Sequence, residues 1–293
     1  MLVETLEPDV VLTVSPWLDL DYEPIFRRFP TVHFFEEDWR RLGEFNSHGS
    51  RARAVELVVG ALHWLSSGQP DLVVAISPRE RQLARRRYPR SRHLYLPVAL
   101  ASGMPMSPGS IEDRPPVDRK ILTVGVYTHE RNARGLAAVL DDIDRRGLGS
   151  ILGVRVVSEL GVHDCLARYV SSGLLEVAEP GAMLLSDEYR NAWVALVPSF
   201  VVTGQKTTIL QAWSEGCPVV TTRAAARSVG ARDELLAGST PRGVVSCLLT
   251  LREDGRLRAR LVEGGHQAIA RSHDPNQQRE RLLAAIARVA RKA

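Results

Sequence analysis

Residues Ala192–Thr222, AWVALVPSFVVTGQKTTILQAWSEGCPVVTT, leave few folds open to the chain, because they read as strand, polar loop, short helix, tight turn and second strand. Ala192–Val197 is a continuous apolar run of the kind buried on both faces of a parallel sheet, and Pro198 and Ser199 end it. From Thr207 to Glu215 the apolar residues Ile209, Leu210, Ala212 and Trp213 share one helical stripe. Gly216 then supplies the left-handed residue that commonly ends a helix, and Val219–Thr222 begins the next strand. The start of such a helix carries unpaired amides and the positive end of its dipole. Lys206, Thr207 and Thr208 add a cation and two hydroxyls there, a favourable place for a phosphate.

The same alternation of short strands and helices extends in both directions, predicting an α/β chain of parallel strands joined by helical crossovers. Before residue 98 the strands are expected at Val10–Val14, Thr31–Phe35, Leu72–Ile76 and His93–Leu96, with helices at Arg51–Leu65 and Pro78–Tyr88. Ser77 is the N-cap of the second helix, Pro78 its first residue, and Glu80 sits near a capping-box position. Residues 99–118, rich in glycine, proline and serine, lose the apolar period and read as a linker. A second alternation follows, with strands at Ile121–Val126, Gly153–Val157 and Leu174–Val177 and helices at Ala133–Asp144 and Gly161–Ser171. Later helices are expected at Ser239–Leu251, Gly255–Ser272 and from Gln277 to the end. The division is therefore an N-terminal domain at 1–98, the linker, a C-terminal domain at 119–275 and a terminal helix at 276–293. At 293 residues two domains are expected on length alone. Four strands make a small first sheet, which reads as a truncated domain whose larger N-terminal portion is missing.

Composition narrows the partners. A formal net charge of +4 over 293 residues gives little support for a nucleic-acid partner. Locally, RERQLARRRYPRSR (Arg79–Arg92) is strongly basic, and reads either as a solvated helix face or as a contact for an anionic membrane surface or acidic ligand. Cys165, Cys217 and Cys247 are an odd set without metal-ligand spacing, which fits a reducing cytoplasm. No run of about eighteen apolar residues marks a spanning helix, so membrane contact is expected to be peripheral at most.

Three stretches carry a resemblance to a known family. DLVVAISPRERQLARRRYP with RHLYLPV resembles the end of the first domain of the group 1 glycosyltransferases of the GT-B fold. ILTVGVYTHERNARGL resembles the opening of their donor-binding domain. LVPSFVVTGQKTTILQAWSEGCPVVTT resembles their most specific element, usually PSxxEGxGxxxxEAxAxGxPVV. The resemblance covers residues 71 to the C-terminus, and more weakly 10–39. It implies two Rossmann-like domains with parallel sheets facing a cleft, a nucleotide-sugar donor held by the second domain, retention of anomeric configuration, and a final helix crossing back onto the first domain. The chain departs from the pattern at both acidic positions, which here are Thr203 and Gln211. Glutamine still hydrogen-bonds a diol, whereas threonine replaces a carboxylate by one hydroxyl. Some branches of the family lack the first glutamate, and GQKTTILQAWSEGCPVV looks closer to those.

On that reading the donor-binding residues are Gly125, Arg131, Asn132, Gly204, Gln205, Lys206, Thr207, Thr208 and Gln211. Arg131 and Lys206 are the candidates for charge-assisted phosphate contacts. The catalytic candidates are Glu36, His129 and Thr203. Glu36 closes the strand Thr31–Phe35, at an end where a parallel sheet faces its ligand, although Glu36, Glu37 and Asp38 together also read as a solvated acidic loop. His129 lies in the loop after Gly125, within reach of a sugar; His33, inside its strand, reads as packed. A diphosphate leaving group gathers negative charge that cations and helix-end amides stabilise without a metal, and no histidine, cysteine or carboxylate cluster has ligand spacing. Neither metal nor other cofactor is expected. The expected activity is metal-independent transfer of a sugar from a nucleotide-diphosphate donor to an unidentified glycan, lipid or small-molecule acceptor. The rival is a catalytically impaired protein of the same fold that binds a nucleotide sugar or a partner protein. A related epimerase or phosphorylase is a third reading; the phosphorylase is disfavoured because no lysine stands in a setting suited to pyridoxal phosphate.

Overall fold

Ten short strands, all in parallel pairing, organise the described residues into two separate sheets. The computed structural model describes residues 8–14, 23–35, 69–100, 120–178, 181, 183–202 and 204–291. The expected helix at Arg51–Leu65, the body of the linker, Glu36 and Thr203 lie outside them. In chain order the first elements are β1 (Val11–Val14), α1 (Glu23–Arg28), β2 (Thr31–Phe35), β3 (Leu72–Ala75), α2 (Pro78–Arg87) and β4 (Arg92–Tyr95). There follow β5 (Ile121–Val124), α3 (Glu130–Arg145), β6 (Val154–Val157), α4 (Ala167–Ser171), β7 (Leu175–Ala178), α5 (Leu185–Asn191), β8 (Val194–Val197) and α6 (Thr207–Ser214). The chain ends with β9 (Val219–Thr222), α7 (Arg223–Ser228), β10 (Leu236–Gly238), α8 (Pro241–Glu253), α9 (Gly255–Ser272) and α10 (Pro275–Ala290).

The chain forms two compact units. One comprises Met1–Ala99, Thr203–Gln205 and Pro275–Ala293, the other Leu100–Val202 and Lys206–Asp274. In the first, the strand order is β1-β2-β3-β4. Because side chains alternate across a strand, Val32, Leu72 and Val74 face one way and are covered by Leu282, Ala285, Ile286 and Val289 of α10. Phe35 and Val73 face the other way, against Ala84 of α2 and Tyr88 just after it. Ser77 caps α2 by accepting the Glu80 amide at 3.2 Å. The Glu80 carboxylate, rather than serving only the cap, accepts the Gly204 amide at 2.8 Å.

His33 is fully buried in this unit. Its Nδ1 shares a 2.9 Å hydrogen bond with the Thr13 hydroxyl, and its ring meets Phe26 and Tyr88 edge-on, with centroids 5.9 and 5.6 Å away. It is a packed core residue.

In the second unit the strand order is β10-β9-β8-β5-β6-β7. The chain builds outward from β5 through β6 to β7, then returns to the other side of β5 with β8, β9 and β10. This is the doubly wound Rossmann order, and its switch point lies between β5 and β8. The core contains Leu136, Val139, Leu140 and Ile143 of α3 and Val244, Val245 and Leu248 of α8. Arg155 on β6 makes a bidentate pair with Glu188 of α5, at 2.9 and 2.7 Å, and also pairs with Glu176 on β7.

Several element boundaries differ from the sequence expectation. The helix after β5 begins at Glu130 and not at Ala133: His129 is its N-cap residue without a side-chain cap bond, and the His129 carbonyl accepts the amides of Asn132 and Ala133. Arg131 and Asn132 are thus in a helical turn rather than a loop. The helix expected from Gly161 starts later, as a 3-10 turn at Asp164–Leu166 followed by α4. Gly161 has φ +77° and is outside any right-handed helix, and the cap is His163, whose ring accepts the Cys165 amide at 3.2 Å.

Burial, reinforced by the nearby Arg87 guanidinium, holds the His33 pKa down to about 4, against an ordinary value of 6.5. The unfolded chain therefore binds a proton below pH 6.5 that the folded chain refuses until about pH 4, so this contribution to stability is present above pH 6.5 and lost as pH falls through 4. The loss should be about 2–3 kcal/mol between those values. Denaturant titrations at fixed pH check it: the slope should flatten in His33→Gln, which removes the titrating ring.

Candidate functional site

A parallel sheet of this order binds ligands outside the carboxyl ends of its strands at the switch point. In the second unit that position is bounded by the segment after β5, residues 125–129, and the segment after β8, residues 198–202. Their proximity has a steric cause. A Cβ built on Gly135 of α3 would lie 2.4 Å from the Pro198 carbonyl oxygen, so helix and strand end meet at a distance only glycine permits. The Phe200 side chain packs against the core beside them. On the far side of β8, the Thr222 hydroxyl at the end of β9 donates to the Ser199 carbonyl, and the Thr221 hydroxyl donates to Val197 at 2.6 Å.

The segment after β5 is rigidly held. The Gly125 amide donates to the Val157 carbonyl at 3.1 Å, so it is already engaged. The Tyr127 amide donates to Ser158 Oγ at 3.3 Å, and its carbonyl accepts the His163 amide at 2.9 Å. The Tyr127 ring is buried, its hydroxyl paired with Thr123, and burial pushes its pKa up to about 12; it stays neutral at ordinary pH. Asn132 Nδ2 donates to the Val126 carbonyl at 2.9 Å, which assigns Asn132 to shaping the turn. His129 is exposed at the N-cap of α3. Arg131, in the first turn, is half-buried, and its Nη1 is a buried donor without a hydrogen-bond partner. Leaving a charged donor unsatisfied is costly, so that atom is ready for an anionic acceptor.

The segment after β8 leads to α6. Lys206 is the N-cap residue, its amide donating to Ser228 Oγ of α7 at 3.2 Å. Thr207 is exposed and Thr208 half-buried in the first turn, where helix geometry leaves amides without intrahelical acceptors. Thr207 and Gln211, four residues apart, share the face of α6 opposite its buried residues Ile209, Leu210 and Trp213. Tyr189 of α5, also buried, braces the helix by donating to the Thr208 carbonyl at 3.4 Å. Gly216 ends α6 with φ +70°.

Gly204 and Gln205 belong by their contacts to the first unit. Gly204, at φ +66°, donates its amide to Glu80. Gln205 Oε1 accepts the Val98 amide at 2.8 Å, while its buried Nε2 has no partner. The structure thus brings Gly125, His129, Arg131, Asn132, Lys206, Thr207 and Thr208 to the carboxyl edge of one sheet. Among the described residues there is no group of three or more histidine, cysteine or acidic side chains arranged to hold a metal. Tyr127, Gly135 and Ser228 were not singled out by sequence, and Glu80 was read only as a helix-cap residue. Gly135 alone carried a signal, as a glycine inside an otherwise strong helix pattern.

No protein-family model matches the sequence, and no curated protein is significantly similar to it. Solved structures are similar in fold. Sucrose-phosphate synthase from Thermosynechococcus elongatus has a TM-score of 0.72 at 14% identity, covering 100% of this chain and 76% of that one. The α,α-trehalose 6-phosphate synthase from Burkholderia multivorans has a TM-score of 0.70 at 11% identity, covering 99% and 73%. The pneumococcal O-GlcNAc transferase GtfA, solved in complex with UDP and GlcNAc, has a TM-score of 0.62 at 11% identity, covering 98% and 59%. The chain therefore has the α/β architecture of the GT-B glycosyltransferases and is shorter than these relatives in fold.

Gly135→Ala tests how the site is assembled. Alanine ordinarily stabilises a helix interior by about 1 kcal/mol relative to glycine. Here the added methyl meets the Pro198 carbonyl, and a net destabilisation of about 1–3 kcal/mol is expected. Thermal denaturation reads the sign directly: a raised melting temperature would mean that the two segments do not meet as described.

Proposed function

We propose that this chain transfers a glycosyl group from a nucleotide-diphosphate donor to an acceptor, without a metal and with retention of configuration. The observation that carries the reading is the buried, unpartnered Nη1 of Arg131 at the carboxyl edge of a Rossmann sheet, next to its switch point. The similarity in fold to proteins that transfer sugars, one of them solved with UDP and GlcNAc, supports it.

In this reading the donor diphosphate lies across the carboxyl ends of β5 and β8. Arg131 supplies a charge-assisted hydrogen bond, and Lys206 a second positive charge at the start of α6. The free amides and hydroxyls of Thr207 and Thr208 meet the remaining phosphate oxygens. As the glycosidic bond to the diphosphate breaks, negative charge grows on the leaving oxygen, and these pre-placed donors stabilise it more than they stabilise the ground state. Gln211, one turn along the same face, hydrogen-bonds the ribose diol. Gly125 lets the ligand approach the backbone, Asn132 holds the turn, and Gly204 and Gln205 fix the approach to Lys206. Glu36, His129 and Thr203 are the proposed contacts of the reacting sugar, and the acceptor is a glycan, lipid or small molecule.

A second reading is favoured by Thr203 and Gln211, which stand where the resembled pattern has acids. It is a protein that binds a nucleotide sugar, or a partner, without transferring it. Calorimetric titration with a panel of UDP, GDP and ADP sugars, followed by an assay for transfer or hydrolysis, decides between them. Binding with turnover is expected; binding without turnover supports the second reading; no binding to any donor overturns both as readings of a nucleotide-sugar site. Arg131→Ala and Lys206→Ala should each weaken binding by about 1–3 kcal/mol, the range for charged hydrogen bonds. Unchanged affinity in both would place the phosphates elsewhere.

A further inference from the structure

In the second unit several arginines have acidic partners, among them Arg155 with Glu188 and Glu176, Arg168 with Asp141, Arg190 with Glu215, and Arg271 with Glu234; the first unit holds a denser basic run with few acids. In the first unit, residues 71–95 contain seven arginines and two acids, Asp71 and Glu80. Both acids are occupied: Asp71 accepts the Thr31 amide at 3.0 Å, and Glu80, only 1% exposed, accepts the Gly204 amide. Of the arginines, Arg87 is stacked over Phe35 and Tyr88, at 5.9 and 5.4 Å from their ring centroids, and serves packing. Arg85, Arg86, Arg90 and Arg92 are exposed, and none of the four has a carboxylate partner among the described residues.

Topology places these four together. Helix α2 runs back toward the start of β4, so its last turn, the turn at 88–91 and the first residue of β4 all lie at the amino edge of the four-stranded sheet. Helix α1 leads into β2 at the same edge, and its last turn carries Arg27 and Arg28. Both helices cover the same sheet face, since Phe26 from α1 and Tyr88 after α2 meet the His33 ring. The result is a cationic edge opposite the carboxyl ends of those strands. A favourable interaction with the carbonyl end of α2 explains basic residues in its last turn. It does not explain Arg90 and Arg92, which lie beyond the helix.

We propose that this arginine edge docks the protein on an anionic lipid surface through Arg85, Arg86, Arg90 and Arg92. Each guanidinium offers a planar fork that matches phosphodiester oxygens, and unpaired basic side chains spread along an edge suit a surface of repeating anions better than one small ligand. The aromatic rings at this edge argue against single-stranded nucleic acid: Tyr88 is 3% exposed, and Phe29, half-buried, lies under the Arg28 guanidinium, so neither offers a free face to a base. Among the described residues no helix is long and apolar enough to cross a membrane, so the contact is electrostatic and peripheral.

Flotation of the full chain with vesicles tests it. Vesicles of phosphatidylcholine containing about one-third phosphatidylglycerol should retain the protein at low salt and release it at about 0.5 M salt, where charges are screened within a few ångströms. Pure phosphatidylcholine should not retain it. Quadruple replacement of Arg85, Arg86, Arg90 and Arg92 by glutamine should weaken retention more than tenfold with an unchanged melting temperature. The control R242Q/R256Q/R260Q, in exposed parts of α8 and α9, should leave it within about twofold. Failure of the wild-type chain to bind anionic vesicles overturns the proposal, as does equal loss in the control or tight binding of a 20-mer RNA in place of vesicles.

Discussion

The pairing of β5 with β8 is the constraint from which the candidate site follows. These strands are distant in sequence, and by lying side by side they reverse the direction in which the chain winds through its sheet. The crossover from β5 to β6 and that from β8 to β9 therefore pass on opposite faces and leave a gap above their carboxyl ends. No other position in this sheet has two segments diverging in that way. The register is set by buried runs on both strands, Ile121 and Leu122 against Val194 and Ala195. The missing side chain at Gly135 then allows α3 to press on the Pro198 carbonyl. Removing solvent at this contact makes the hydrogen bonds around it stronger and their geometry fixed, which is what a site that stabilises developing charge requires.

The fold was legible wherever a local pattern specified it. Buried parallel strands show as uninterrupted apolar runs, and β3, β8 and β9 lie where valine-bearing apolar runs placed them. Ser77 and Gly216 announce their helix ends because hydroxyl capping and left-handed termination are local events. Helix α3 was misjudged by a turn because its N-cap residue, His129, makes no side-chain cap bond and so leaves no side-chain signature. Helices α1, α5 and α7, of six or seven residues, are too short for a 3.6-residue period to stand out. Their stability comes from tertiary packing, as with the brace from Tyr189 to Thr208.

The candidate site was legible in its cations and glycines but not in its engagements. Gly125 and Gly204 read from sequence as places where a ligand nears the backbone, yet both amides are taken, by Val157 and by Glu80. Glu80 and Gly204 are far apart in the chain, and no spacing rule could join them. Asn132 likewise spends its side chain on Val126. What the structure adds is a division of labour: some of these residues shape the turns, while Arg131 keeps a buried donor without a partner. Thr203 and Glu36 fall outside the described residues, and their proposed contacts with the sugar rest on sequence.

If the carboxyl edge at the β5–β8 switch point holds the donor diphosphate, its backbone must become less able to exchange hydrogen when the donor binds. Hydrogen exchange of the full chain, with and without the tightest-binding nucleotide sugar, measures this at peptide resolution. Slowed exchange concentrated in residues 125–133 and 204–211, with the sheet core unchanged, is the predicted result. Unaltered exchange in both segments under saturating ligand would contradict the account.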